Sequence, residues 1–129
     1  MPDKQSRGNG ISDLTISEEL RGTVTIMRLK GTFVGAAAVS SFERAMFEVL
    51  KQDRPNIIID LSHTRFVDSA GLGAMIAAMV AVRRNEGALR LAGLRDEMRT
   101  IISTMNLERV FEIHETVAIA EESFQKHKN

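Results

Sequence analysis

The run Asn56-Ile57-Ile58-Ile59-Asp60-Leu61 constrains this chain more than any other segment. Three consecutive β-branched residues fit a strand buried on both faces, in the middle of a sheet. Such a strand needs neighbours on either side and helices over it. The flanking sequence supplies both. Leu14-Thr15-Ile16-Ser17 and Val24-Thr25-Ile26-Met27-Arg28-Leu29 alternate apolar and polar residues around an Arg21-Gly22 turn, which predicts a hairpin ending at Gly31. Val39, Phe42, Met46, Val49 and Leu50 recur at helical spacing, and Asp53-Arg54-Pro55 stops that helix. A loop is expected over 62–68. Leu72, Met75, Ile76, Met79 and Val80 then mark a second helix, running out at Arg83-Arg84-Asn85. Glu86-Gly87 reads as a turn and Leu89-Arg90-Leu91-Ala92 as a strand. Met98, Ile101, Ile102 and Met105 mark a third helix, Val110-Phe111-Glu112-Ile113 a last strand, and Val117, Ala120 and Phe124 a final helix. The order β-β-α-β-α-β-α-β-α predicts an α/β domain. Its mixed sheet has one antiparallel hairpin and otherwise parallel neighbours joined by right-handed crossovers.

Composition narrows the function classes. A chain of 129 residues fits one domain and can bury a core without covalent staples. The domain is expected over 13–125, after a flexible segment at 1–12 and before a frayed end at 126–129. With no cysteine there is no disulfide framework, thiol nucleophile or Cys-based zinc site. Seventeen basic residues balance seventeen acidic ones, so the chain offers no bulk attraction to nucleic acid or an anionic membrane. The polar start is no secretory signal, and no apolar stretch is long enough to cross a bilayer, which implies a cytoplasmic protein without direct membrane insertion.

Chemistry concentrates in Asp68-Ser69-Ala70-Gly71-Leu72-Gly73, between the central strand and the second helix. Ser69 stands where a helix N-cap belongs. Two glycines in the first turn cost about 0.5–1 kcal/mol each relative to alanine, which suggests close approach by another backbone or a ligand. A purely structural role, with Ser69 as cap and the glycines easing packing, accounts for the same residues. As a dinucleotide fingerprint, Gly71-Leu72-Gly73 fails because Ile76 replaces the third small residue and no acid follows near Leu91 and Ala92. As a nucleophile elbow, Gly71 fits but Val67 does not, and only His114 is available as base. His63, His114 and His127 share no metal-ligand spacing.

Ile59-Asp60-Leu61-Ser62 followed by Phe66-Val67-Asp68-Ser69-Ala70-Gly71-Leu72-Gly73 resembles the signature of anti-sigma factor antagonists, the bacterial STAS-domain family. The resemblance covers about residues 13 to 125, with Gly31, the Gly87 turn and Leu91-Ala92-Gly93-Leu94 at matching places. It implies a partner-switching protein that is not an enzyme and carries no cofactor. The unphosphorylated form binds an anti-sigma factor that is also an ATP-dependent serine kinase. The kinase phosphorylates the motif serine, here Ser69, the complex separates, and a PP2C-type phosphatase resets it. Asp68, Ala70, Gly71, Leu72 and Gly73 carry the rest of the motif and are partner-binding candidates.

One departure stands out. The family commonly places an acid a few residues after the glycine ending the second strand, and Val34 occupies that slot here. Val34 and the neighbouring Thr32 join the candidate contact residues, with Arg65 of the loop before the motif. On the second helix, Leu72 and Met75 are expected at the interface, Ile76 and Met79 in the core. Two alternatives remain: a STAS scaffold or transporter-accessory domain that is not switched, and a small serine hydrolase using Ser69 and His114.

Overall fold

The computed structural model describes residues 13–126, so the predicted 1–12 segment and residues 127–129 lie outside it. Strands β1 (Leu14–Arg21), β2 (Val24–Phe33), β3 (Asn56–Val67), β4 (Ala88–Ala92) and β5 (Glu112–His114) alternate with helices α1 (Gly35–Lys51), α2 (Ser69–Arg84), α3 (Asp96–Thr104) and α4 (Val117–Lys126). The five strands form one sheet in sequence order, antiparallel between β1 and β2 and parallel thereafter. The mixed α/β architecture is the one expected from the sequence. No helix among the described residues is long and apolar enough to cross a membrane.

The isoleucine run explains the layering. Ile57 and Ile59 face one side of β3, Ile58 the other, and all three are fully buried. Each such side chain contributes about 1.5–3 kcal/mol. On the first face, Met27, Leu29, Leu61, Leu89 and Leu91 extend the apolar surface under α1, α2 and α3. On the second, Val24, Ile26, Ile58 and Ala92 pack only against α4, through Val117, Ala120 and Phe124. One helix therefore covers a face that three helices cover opposite.

Three expectations about strand ends are corrected. Residues 62–67 are strand, not loop: β3 continues to Val67. Its first half pairs with both β2 and β4, whereas beyond Asp60 it pairs with β2 alone. Register shifts near Gly31 break the two-residue period there, and Leu61, Thr64 and Val67 are buried three residues apart. The polar Ser62-His63-Thr64-Arg65 therefore lacks the pattern of a half-buried strand. Thr64 is accommodated because its hydroxyl donates to the Leu29 carbonyl at 2.7 Å. Likewise β2 passes through Gly31 and ends at Phe33, so Thr32 is a strand residue opposite Phe66 rather than a turn residue. Gly31 adopts φ +112°, and a Cβ there would strike the Asp13 carbonyl. The last strand is shifted as well, because Val110 and Phe111 close a turn on Leu107 and pairing begins only at Glu112.

Beside α4, Arg90 is 4% exposed, with its guanidinium carbon 3.8 Å from the centre of the Phe124 ring. Its Nε donates to Glu112 at 2.6 Å, and His114 Nε2 lies 2.8 Å from the same carboxylate oxygen. Burial works to raise the Glu112 carboxyl, but the hydrogen bonds from Arg90 and His114 outweigh it and hold the group below its ordinary 4.5. The folded state thus binds fewer protons than the unfolded one. The resulting stabilisation is present above the ordinary value and lost as pH falls through the lowered one. In Glu112→Gln, the decline of stability below about pH 5, followed by urea unfolding, should be shallower than in the parent chain.

Candidate functional site

The motif begins where β3 runs out. Val67 pairs with Phe33 at the ends of β3 and β2, and the Asp68 N–H donates to the Phe33 carbonyl at 3.2 Å. Both chains turn there into helices, α1 from Gly35 and α2 from Ser69. Each helix start leaves backbone N–H groups that need acceptors. The Asp68 carboxylate serves both. Its Oδ1 accepts the Gly71 N–H at 2.8 Å, capping α2, and its Oδ2 accepts the Gly35 N–H at 3.0 Å, at the first residue of α1.

This geometry corrects the assignment of the cap. Asp68 is the N-cap of α2, and Ser69 is the first helical residue. A residue inside the helix turns its side chain away from the N–H groups the cap serves. Accordingly the Ser69 hydroxyl is exposed and has no hydrogen-bond partner among the described residues. With the amides of Asp68 and Gly71 occupied and Leu72 N–H bonded to the Asp68 carbonyl, the amides of Ser69 and Ala70 are the donors left free in the first turn.

The two motif glycines differ. A Cβ on Gly71 would lie 2.6 Å from the Phe33 carbonyl oxygen, so this glycine lets the first turn of α2 seat on the end of β2. Gly73 meets nothing within 4 Å and is exposed. Phe33 is itself fixed by Phe42 of α1, their ring centres 5.0 Å apart.

Ser69 stands on the lip of an apolar groove between α2 and α3. Asp68, Leu72, Gly73 and Ile76 form one wall, and Met98, Ile101 and Met105 the other. Met105 is 54% exposed and Ile101 36%. A smaller cleft next to it, at the end of β3, brings Arg65 and the exposed Phe66 towards Arg95 and Glu97. Ala70 is exposed in the first turn of α2, and Thr32 is half-buried across the sheet from Phe66.

The interface expectations on α2 change. Met75 is fully buried, and Gly71 and Leu72 are buried as well, so none of the three offers much surface to a partner, whereas Ile76, expected in the core, is only half-buried and lines the groove. The reason is angular: Met75 shares the buried stripe of Leu72 and Met79, and Ile76, turned about 100° further round the helix, faces Met98, Ile101 and Met105. The groove wall from α3 and the exposed Phe66 were missed by sequence reasoning. The signal for the α3 wall was a helical apolar stripe that a short, otherwise polar helix had no need to bury completely.

Val34, in the slot where an acid is common, is the N-cap of α1, 40% exposed, and makes no side-chain cap. Asp68 supplies an acceptor there instead. His114 lies on the α4 side of the sheet, beside Ala92 and bonded to Glu112, whereas α2 covers the other side. The pairing of Ser69 with His114 that a hydrolase would need is therefore not made. Among the described residues, no group of three or more histidine or acidic side chains is placed to hold a metal.

A five-stranded mixed sheet with three helices on one face, one on the other, and a serine opening the helix after the long central strand defines a protein class. The chain belongs to the STAS domain family, whose model matches residues 15–120. TM1081 from Thermotoga maritima has the same fold, with a TM-score of 0.78 at 20% identity over 84% of this chain and 92% of its own. An anti-sigma factor antagonist from Mycobacterium paratuberculosis gives 0.76 at 22% identity, covering 85% and 92%. The anti-sigma factor antagonist SpoIIAA, a Bacillus cell fate determinant, gives 0.68 at 18% identity in its unphosphorylated form, covering 89% and 99%.

Two substitutions test the local architecture. Asp68→Ala removes acceptors from both helix starts and should cost about 1–4 kcal/mol in urea unfolding, with Asp68→Asn recovering part of it. Gly71→Ala should destabilise by about 1–3 kcal/mol through its clash with Phe33. Gly73→Ala, with open space around it, should instead stabilise by about 0.5–1 kcal/mol.

Proposed function

We propose that this chain is an anti-sigma factor antagonist that works by partner switching. Unphosphorylated, it binds an anti-sigma factor with serine kinase activity; phosphorylated on Ser69, it is released; a PP2C-type phosphatase restores it. The observation that carries this reading is the exposed, unpartnered Ser69 hydroxyl at the head of α2, on the lip of an apolar groove.

The chemistry is consistent in both states. A phosphoserine adds about −1.5 to −2 charge. In the free protein that charge meets the positive end of the α2 dipole, an interaction of about 0.3–1 kcal/mol at a surface, and the free amides of Ser69 and Ala70. Asp68 opposes it. Against a partner the balance reverses, because an unpaired phosphate covered by that partner on the lip of the groove, beside Ile76 and Met105, must lose its water. A swing from 99:1 bound to 1:99 requires only about 5.5 kcal/mol. Asp68, Ala70, Gly73, Thr32, Val34 and Arg65 are the contact residues of this reading, with Ile76 in place of Leu72 and Met75.

Val34 favours a second reading, a STAS scaffold or transporter-accessory domain without a switch, since it places exposed apolar surface where the family commonly carries an acid. One experiment separates the two. Incubation with an anti-sigma factor kinase and ATP should add one phosphate to the parent chain and none to Ser69→Ala, by intact mass. Ser69→Asp should weaken binding of that kinase by at least about tenfold. Stoichiometric phosphorylation of Ser69→Ala overturns the site, and unchanged affinity of Ser69→Asp overturns the switch.

A further inference from the structure

A second apolar groove lies on the other side of α2 from the Ser69 groove, and the two share no lining residue. It runs between α1 and α2 with a volume of about 220 Å³, floored by Ala77, Ala78 and Ala81 and walled by Phe47 and Leu50. Phe47 is 64% exposed. The chain has six phenylalanines and no tryptophan or tyrosine. Phe33, Phe42 and Phe111 are buried, Phe124 carries Arg90, and Phe66 flanks the Ser69 site. Phe47 alone of the six has no role in the core or in that site, yet it projects from the middle of a long helix.

Two of the charges around it are placed symmetrically, whereas Arg44 and Glu48 lie outside the groove lining. Glu43 and Lys51 lie four residues before and after Phe47 on α1, so each stands about 6 Å from it along the axis. Both are exposed, and neither forms an ion pair among the described residues. A two-fold axis crossing α1 at the level of Phe47 sets two copies of α1 antiparallel. Glu43 of each copy then faces Lys51 of the other, twice over. The same operation brings the two Phe47 rings together over the α1–α2 grooves, where the small side chains of α2 leave room for them. An isologous interface requires this kind of self-complementary surface. A net charge of zero leaves two copies without long-range repulsion.

We propose that this face is a homodimer interface, with Phe47 as its aromatic anchor and the Glu43–Lys51 pairs as its register. The dimer leaves the Ser69 groove uncovered, so the inference goes beyond the proposed switch and does not depend on it. Sedimentation equilibrium of the full chain over a range of concentrations tests it. The parent chain should shift from monomer to dimer by ~1 mM, the weak end of measurable affinity. Phe47→Ser, at a side chain already 64% exposed, should remain monomeric there with an unchanged circular dichroism spectrum. Glu43→Lys should weaken the dimer at least about tenfold, and Glu43→Lys combined with Lys51→Glu should restore it. A parent chain that stays monomeric at ~1 mM overturns the proposal. So does a dimer that survives Phe47→Ser, or one that the charge swap fails to restore. Binding of an anti-sigma factor that is lost in Phe47→Ser, with the chain monomeric throughout, would assign the face to that protein and likewise overturn the dimer.

Discussion

The Asp68 carboxylate holds together what the rest of the site relies on. Two parallel strands end side by side, and each turns into a helix within two residues. Both helices start with unsatisfied amides and a positive dipole end, close together and pointing the same way. One anion between them answers both demands, accepting from Gly71 with one oxygen and from Gly35 with the other. Because the cap is the residue before Ser69, the serine is left at the surface with its hydroxyl unused. Gly71 sits on Phe33 because the same turn draws α2 against the end of β2.

Much of this was legible in the amino-acid sequence, and the exceptions have physical causes. Ile57-Ile58-Ile59 revealed the central strand because a segment buried on both faces has to be apolar throughout. The second half of the same strand was not legible. With β2 as its only neighbour, and with its period disturbed near Gly31, it tolerates Ser62, His63 and Arg65 on open faces. The motif stood out in the sequence, but Asp and Ser are both good caps and adjacent residues cannot be ranked by propensity. In the folded chain Asp68 takes the Gly71 amide and also the Gly35 amide, a contact distant in sequence. Nor could the apolar stripe alone tell Met75, which goes to the core, from its neighbour Ile76, which goes to the groove.

Val34 illustrates how one apolar residue can be accommodated in a polar role. As the N-cap of α1 it contributes no acceptor, and the helix would start uncapped if it depended on its own chain segment. The acceptor comes instead from across the β2–β3 pair. The motif acid thereby serves the helix before the central strand as well as the helix after it. An acid at position 34 would stand close to a carboxylate already engaged, and valine avoids that repulsion while presenting apolar surface beside the motif.

The unequal length of β3 and its neighbours has a mechanical consequence. β4 stops level with Asp60, so the last stretch of β3, which delivers Asp68 and Ser69, runs on past β4 with only β2 beside it, like a plank past its last joist. A plank fastened along one edge bends more readily than the floor behind it, and strands with fewer ladder bonds open at lower free energy than the core. The strap across its far end is a pair of bonds, from the Asp68 N–H to the Phe33 carbonyl and from the Gly35 N–H to the Asp68 carboxylate. Force applied at the Ser69 groove is therefore resisted first by the two bonds of one residue, and the sheet behind can stay intact while the tip moves.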